Sequence, residues 1–219
     1  MSSLFVVSNS EGELILTSAG YVLVAVIVFS LFALIAACGK RERGVSAKQI
    51  AFSAAAVALA IVTSYIKLIH MPMGGSATLC SMLFLVLIGY WYGPAVGIMA
   101  GLAYGCVDFI LNPYIVSLPQ VLVDYPLAYG ALGISGFFSH KKNGLLTGYI
   151  AGVLGRYFFA TLSGVIFFGM YAPENMGALG YSLAYNGGYL GAEAAITIVL
   201  LLIPAVRKAM AQVKTQALA

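Results

Sequence analysis

The sequence predicts an all-α integral membrane protein, and three observations carry that prediction. Of its 219 residues, 62% are hydrophobic and only 8% are charged, and the mean hydropathy is +0.99. The apolar residues form long unbroken runs without the alternation of a membrane β-barrel, so helices are the expected spanning elements. Most basic residues fall in short segments between these runs. The net charge of +4 therefore indicates membrane orientation and not nucleic-acid binding.

Seven apolar runs are long enough, or nearly so, to cross a hydrocarbon layer of about 30 Å as helices. They cover residues 18–39, 49–69, 77–92, 95–112, 118–138, 145–170 and 181–206. Residues 1–45 are expected to form an N-terminal extracellular segment, an extra first transmembrane helix and a basic loop. Residues 46–219 are expected to form a six-helix, substrate-binding membrane domain.

The basic residues predict the orientation of these spans. Nine of the eleven lie between spans one and two, between spans five and six, or after span seven. These nine are Lys40, Arg41, Arg43, Lys48, Lys141, Lys142, Arg207, Lys208 and Lys214. Seven alternating spans place all three segments on one side, which the positive-inside bias identifies as cytoplasmic. The N-terminus is therefore expected outside and the C-terminus in the cytoplasm.

Span five carries an acid within the membrane. Asp124 lies about six residues below the expected outer end of this span, and Gln120 is one turn above it on the same face. Pro119 suits the first helical turn, whereas Pro126 is expected to kink the helix and free a carbonyl near Asp124. A carboxylate at this depth costs roughly 3 kcal/mol on insertion scales, so it usually faces a cavity or a partner. We expect this helix to form one wall of a polar pocket.

Other polar and aromatic residues are expected to gather with Asp124 in the outer half of the bundle. They come from four further spans and are Lys67, His70, Tyr104, Asp108, Phe167, Phe168, Tyr181, Tyr185 and Asn186. One or two carboxylates among aromatic rings suit an organic cation, because the acid supplies charge and the rings supply cation–π contact. Alternatively, Lys67 and His70 extend to the interface and the rings form an interfacial belt.

Two further charges lie deep in adjacent antiparallel spans. Arg156 and Glu193 are predicted to form a structural ion pair, with a proton relay as the alternative. No nucleophile–base motif, nucleotide-binding loop or metal-ligand spacing is evident. The chain is therefore expected to be neither an enzyme nor a metal or cofactor protein, and any ATP-driven transport would need another subunit.

Four motifs, in order, resemble one family of membrane proteins. They are Tyr-Gly-Pro-x-x-Gly-x-x-x-Gly-Leu-x-Tyr-Gly (92–105), Gln-Val-Leu-Val-Asp-Tyr-Pro-Leu-Ala-Tyr (120–129), Ser-Gly-Val-Ile-Phe-Phe-Gly-x-Tyr-Ala (163–172) and Tyr-Ser-Leu-Ala-Tyr-Asn (181–186). From about residue 47 onward, the chain resembles the thiamine-specific substrate-binding (S) subunits of energy-coupling factor transporters, the ThiT or YuaJ family. The match covers spans two to seven, the six-helix core of that family, and the first span is an addition.

The resemblance implies a bacterial plasma-membrane subunit that captures thiamine from outside with high affinity. It implies delivery through a complex with a transmembrane coupling protein and two cytoplasmic ATPases. By the resemblance, Asp124 binds the cationic part of thiamine, and the other expected contacts are Tyr181, Asn186, Tyr104 and Phe168. We include Asp108, Gln120 and Tyr125 in the same predicted site. The Ala54 and Ala58 pair resembles the small-residue surface that docks the coupling protein.

The chain departs from the family pattern at several of these positions. Ala160 stands where a histidine is expected, Tyr104 and Phe168 stand where tryptophans are expected, and the acid is Asp124 in place of Glu. Two alternatives therefore remain open. One is a substrate-binding subunit for another small heterocycle, such as a pyrimidine precursor, and the other is a self-sufficient proton-coupled carrier that uses Arg156 and Glu193.

Overall fold

The computed structural model describes residues 6–8, 14–19, 22, 26, 46–173 and 175–219. At the N-terminus, strands β1 (Val6–Ser8) and β2 (Leu14–Leu16) pair as an antiparallel hairpin. Most of the predicted first span (18–39) and the cations of the loop that follows it lie outside the described residues.

Helices dominate the rest of the structure and confirm the predicted helical membrane fold. They are α1 (Ala47–Ser64), α2 (Ser81–Tyr92), α3 (Pro94–Leu111), α4 (Leu118–Phe138), α5 (Gly144–Phe167), α6 (Ala178–Leu202) and α7 (Pro204–Leu218). Among the described helices, five are long and apolar enough to cross a membrane; the exceptions are α2, with 12 residues, and α7. The helices α1 to α6 correspond to predicted spans two to seven, so the chain is a multi-pass membrane protein.

Span two ends, and span three begins, at residues other than those predicted. The helix α1 ends at Ser64, where the hydroxyl groups of Thr63 and Ser64 donate to carbonyls one turn back. The chain then forms an antiparallel hairpin of strands β3 (Lys67–His70) and β4 (Ser76–Thr78). The apolar run continues through this segment, but Pro72 and Gly74, whose φ of 89° favours glycine, form the turn. We call the end of the bundle that carries β3 and β4 the hairpin end.

The end of predicted span seven is also different. Pro204 starts the separate helix α7 after the extended residue Ile203, because proline fits the first turn of a helix but not its interior. At the end of the bundle opposite the hairpin, the Lys214 ammonium donates to the Ser139 carbonyl at 2.7 Å. The Tyr92 hydroxyl donates to the Ala217 carbonyl at 3.1 Å, so α7 packs on the ends of α2 and α4.

Close approach of α3 and α4 sets the position of the polar residues that both helices carry. A Cβ atom at Gly101 would overlap the Tyr129 carbonyl, and one at Gly105 would overlap the Tyr125 carbonyl. Small residues at this four-residue spacing let two helix backbones touch. Around Pro126, residues Val123–Leu127 form a wider π-helical turn, in agreement with the expected local distortion.

Candidate functional site

A cavity of about 400 Å³ lies at the hairpin end, enclosed by the hairpin and the helices α3 to α6. Most of the predicted site residues line it: Asp108, Gln120, Asp124, Tyr125, Phe168, Tyr181 and Asn186, together with Lys67, His70, Arg156 and Glu193. Residues more than 120 positions apart in the sequence thus meet in one pocket. Its volume lies within the usual range for small-molecule sites, roughly 300–1,000 Å³.

One carboxylate oxygen of Asp124 accepts a hydrogen bond from a neighbouring side chain, and the other does not. The Gln120 amide nitrogen donates to Asp124 Oδ2 at 2.6 Å, while the Gln120 amide oxygen accepts from the Val116 N–H at 3.0 Å. Gln120 is only 1% exposed, so it positions the acid as part of the cavity wall. Among the described residues, no hydrogen bond engages Asp124 Oδ1. That oxygen is available to a ligand in the cavity.

Asp108 is more fully occupied by the protein. Its Oδ2 accepts from the Tyr129 hydroxyl at 2.8 Å, and its Oδ1 accepts from the Asn112 side chain at 3.1 Å. Tyr104, a predicted contact, is not among the residues that line the cavity. It is 1% exposed, and its ring packs against the Tyr129 ring with centroids 4.7 Å apart.

Aromatic rings form two walls of the cavity. On one wall, Phe168 stacks on Tyr114 with ring centroids 5.9 Å apart and an interplanar angle of 29°. On the other wall, Tyr181, Tyr185 and Tyr189 follow one another at four-residue spacing along α6, with centroid separations of 5.9 and 5.8 Å. The rings are therefore part of the pocket and not only an interfacial belt. Tyr189 was missed by the sequence reasoning, although its spacing from Tyr185 places it on the same helix face.

Two predicted contacts have hydrogen bonds that fix their side chains. The Tyr125 hydroxyl donates to the Asn112 carbonyl at 2.8 Å and accepts from the Tyr114 N–H at 2.9 Å, so it holds the loop between α3 and α4. The Asn186 amide donates to the Ser182 carbonyl at 2.9 Å, and its oxygen accepts from the Tyr189 hydroxyl at 3.0 Å. Both residues are buried and rigidly placed in the cavity wall.

The hairpin is attached to α6 over the cavity. The Tyr185 hydroxyl accepts from the Gly75 N–H at 3.0 Å and donates to the Pro72 carbonyl. A Cβ atom at Gly75 would lie 2.6 Å from the Tyr185 hydroxyl, so this approach requires glycine. Lys67 and His70 lie on the same hairpin, where their side chains are exposed and line the cavity mouth.

The predicted ion pair between Arg156 and Glu193 is not formed between these described residues. Glu193 is 2% exposed and accepts four hydrogen bonds: from Thr78 N at 3.0 Å, Thr78 Oγ1 at 2.6 Å, Ser81 Oγ at 3.2 Å and Met82 N at 3.0 Å. Neutral donors at the start of α2 therefore satisfy this carboxylate, as the positive end of a helix dipole favours. The Arg156 guanidinium instead lies 4.0 Å from the centre of the Tyr129 ring. Two of the four donors to Glu193 are backbone N–H groups, which every residue except proline carries, so no sequence pattern points to them.

Two other predictions concern features away from the cavity wall. Ala54 and Ala58 are both exposed on α1, on a surface that also exposes Leu59 and Val62. Within the described ranges, no group of three or more His, Cys, Asp or Glu side chains is arranged to hold a metal ion.

Comparison with known proteins gives one consistent result. Residues 50–213 match the family model described as thiamine transporter protein (Thia_YuaJ). A thiamine transporter ThiT of Bacillus subtilis is 35% identical over 152 residues, which cover 63% of this chain and 78% of that protein. A thiamine transporter ThiT of Lacticaseibacillus paracasei is 30% identical over 118 residues, which cover 46% and 59%. The solved structure of ThiT from Listeria monocytogenes aligns with a TM-score of 0.60 and 26% identity over 72% of this chain and 96% of that one.

Proposed function

Since the chain belongs to the thiamine transporter protein (Thia_YuaJ) family, we propose that it binds thiamine at the membrane for uptake into the cell. The observation that carries the proposal is Asp124, which lines a cavity with aromatic walls and whose Oδ1 accepts no hydrogen bond among the described residues, although the buried Ser163 hydroxyl lies near this carboxylate. A carboxylate oxygen open to the cavity matches a positively charged ligand such as a thiazolium, whose alkylated ring nitrogen carries no proton and which keeps its charge near neutral pH.

The charges around the cavity support a ligand with a single positive charge. The charged side chains that line it are Lys67, Asp108, Asp124, Arg156 and Glu193. With all five ionised and His70 neutral, two cations and three carboxylates leave one net negative charge. The rings of Phe168 and Tyr181 add faces on which a cationic heterocycle gains about 0.5–2 kcal/mol. A monocation with two aromatic rings fits this combination of charge, rings and volume.

The proposal includes an orientation in the bacterial plasma membrane. Arg207 bonds to Asn143 at 2.9 Å and Lys214 bonds to Ser139, so the cations after α6 and those of the α4–α5 loop lie at the same end of the bundle. Basic segments favour the cytoplasmic side, which leaves the hairpin end and its cavity open to the outside. The N-terminus is then outside and the C-terminus is cytoplasmic.

For transport, we propose that the chain is a high-affinity S subunit that works with an energy-coupling factor complex. Its partners would be a transmembrane coupling protein and two cytoplasmic ATPases. The exposed Ala54 and Ala58 on α1 support this assignment, because small residues four positions apart allow another helix to approach closely. The remainder of the exposed apolar surface contacts membrane lipid.

The test is an equilibrium titration of the detergent-purified chain with thiamine, followed by intrinsic fluorescence and thermal unfolding. Tight binding by the wild type that Asp124→Asn weakens by about two orders of magnitude is the expected result. Choline serves as a comparison cation without aromatic rings and is expected to bind weakly. A folded wild-type chain that does not respond to thiamine contradicts the proposal.

One observation favours a second ligand for the same subunit. Ala160 lines the cavity where the family resemblance implies a histidine, which leaves room and removes a hydrogen-bonding group. A related heterocycle, such as a pyrimidine precursor of thiamine, would use that space. Competition of such precursors against thiamine in the same titration separates the two candidates.

A further inference from the structure

Arg156 places a positive charge in the cavity that we propose binds a positively charged ligand. It lines the pocket from α5, one turn before Ala160, and its guanidinium stacks 4.0 Å from the centre of the Tyr129 ring. Within the part of the chain that the structure describes, no hydrogen bond or ion pair links it to a protein acceptor. An arginine carries five N–H donors, and leaving them unused in a pocket is costly.

The guanidinium is held in place by Tyr129. The hydroxyl of this tyrosine donates to Asp108 at 2.8 Å, and its ring packs on Tyr104, which is 1% exposed. The tyrosine is thus fixed on two sides and presents one face of its ring to Arg156. A planar guanidinium stacked on an aromatic face keeps its N–H groups at its edge, free to donate.

The acceptors that share the cavity with Arg156 already have donors. Both oxygens of Asp108 are engaged, the Asn186 side-chain oxygen accepts from Tyr189, and Glu193 accepts four hydrogen bonds. Asp124 Oδ1 is the exception, and no hydrogen bond joins it to Arg156. The donors of Arg156 therefore have no protein acceptor and are available to a bound molecule.

We propose that Arg156 is a donor subsite that binds a neutral hydrogen-bond acceptor of the ligand, and so determines its specificity. The shared chemistry is a hydroxyl oxygen or a heteroaromatic ring nitrogen carried at a distance from the cationic centre. A bare cation gains nothing from Arg156 and is repelled by it. A cation that also carries an acceptor places its charge at Asp124 and its acceptor at Arg156. This inference depends on the proposed thiamine-binding function.

The test combines two variants of Arg156 with four probes. Arg156→Met removes the donors and keeps an unbranched side chain, and Arg156→Lys keeps the charge but loses the planar fork. The probes are thiamine, a thiazolium in which benzyl replaces the aminopyrimidine, a thiamine in which ethyl replaces hydroxyethyl, and trimethylthiazolium. Affinities are measured by equilibrium titration, with thermal unfolding of the ligand-free variants as the control for folding.

The expected result is that Arg156→Met weakens thiamine binding roughly tenfold to a hundredfold, the size of a hydrogen bond from a charged donor. Trimethylthiazolium should bind the variant as well as the wild type or better. The analogue that lacks the contacted acceptor should also be insensitive, which distinguishes the hydroxyl from the ring nitrogen. Arg156→Lys should show a smaller loss for thiamine and, if Arg156→Met fails to fold, supplies the same comparison.

Three outcomes overturn the inference. Tighter or unchanged thiamine binding by Arg156→Met identifies Arg156 as a bystander whose charge opposes the ligand. An equal loss for all four probes identifies a structural role. A folded wild-type chain that binds no thiamine contradicts the proposed function and therefore this inference as well. This outcome can be told apart from the other two because it is seen with the wild type alone.

Discussion

Tyr129 joins Asp108 to Arg156: its hydroxyl donates to the carboxylate at 2.8 Å, and its ring lies 4.0 Å from the guanidinium. One side chain on α4 thereby connects a carboxylate on α3 with a cation on α5. The two charges are kept apart by an aromatic ring and do not neutralise each other directly. This arrangement preserves separate anionic and cationic positions within one small cavity.

Two substitutions of Tyr129 should separate the roles of its hydroxyl and its ring. Tyr129→Phe keeps the ring under Arg156 but leaves Asp108 Oδ2 without its donor, so we expect destabilisation of about 1 kcal/mol and a modest loss of affinity. Tyr129→Leu also removes the ring and should lower thiamine affinity further, because the guanidinium loses its support. Thermal unfolding and equilibrium titration measure both effects. Equal affinities for the two variants would show that the ring has no role.

The two aspartates should differ sharply in their effect on binding. Asp124→Asn removes the negative charge beside the free oxygen Oδ1 and should reduce thiamine affinity by about two orders of magnitude, roughly 3 kcal/mol. Asp108→Asn is the matched control, because both oxygens of Asp108 already accept protein hydrogen bonds. We expect its effect to be mainly on thermal stability. A larger affinity loss for Asp108→Asn would reassign the primary anion.

Features that depend on one local segment could be predicted from the sequence, whereas features that depend on contacts between residues far apart in the sequence could not. Hydropathy is a property of one segment, and it located the helices α1 to α6, although not the end of α1, the start of α2 or the end of α6. Only the two ends of the hairpin, residues 67–69 and 77–78, were assigned to membrane spans, because Leu68 and Ile69 continue the apolar run of span two. Its strand pairing is stabilised from 110 positions away by Tyr185, through Gly75. No local pattern contains that contact.

The site shows the same limit. Asp124 could be identified from sequence because a carboxylate in a membrane span is unusual wherever it occurs. The partners of Glu193 could not be identified from sequence. A buried charged residue suggests a partner of opposite charge, but four neutral donors bind the Glu193 carboxylate. Tyr104 was predicted to belong to the site, whereas in the structure it packs against Tyr129 and is not among the residues that line the cavity.

Glu193→Gln should destabilise the fold. The amide has only one acceptor oxygen, so its NH2 group would face either Met82 N, which now donates to Oε1, or Thr78 N, which now donates to Oε2. Buried donors left unsatisfied cost about 1–3 kcal/mol, so the midpoint of thermal unfolding in detergent should fall. Lys142→Gln, at an exposed position, is a control that should leave the midpoint unchanged. An unaltered midpoint in Glu193→Gln would contradict this prediction.

Tyr185→Phe should release the hairpin from α6. The variant keeps the ring but loses both the hydrogen bond from Gly75 and the one to Pro72. Because the hairpin covers the cavity, we expect faster dissociation of thiamine with a smaller change in association rate. Stopped-flow fluorescence measures both rates. Tyr181→Phe, on the same face of α6, is the comparison for a general effect of removing a hydroxyl in this wall, and equal dissociation rates would exclude a specific role for the hairpin attachment.

A bulky residue on α1 should separate binding from transport. Ala58→Trp places a large ring on the exposed surface proposed to dock the coupling protein, at a position that does not line the cavity. Binding of thiamine to the purified chain should be unchanged, because no cavity contact is altered. Uptake in cells that contain the coupling protein and ATPases should be lost, since a helix can no longer approach closely. Ala195→Trp, at an exposed alanine on α6, is the matched control and should retain uptake. If both variants transport normally, docking does not use this face of α1, and if both fail, the loss comes from crowding of the membrane surface in general.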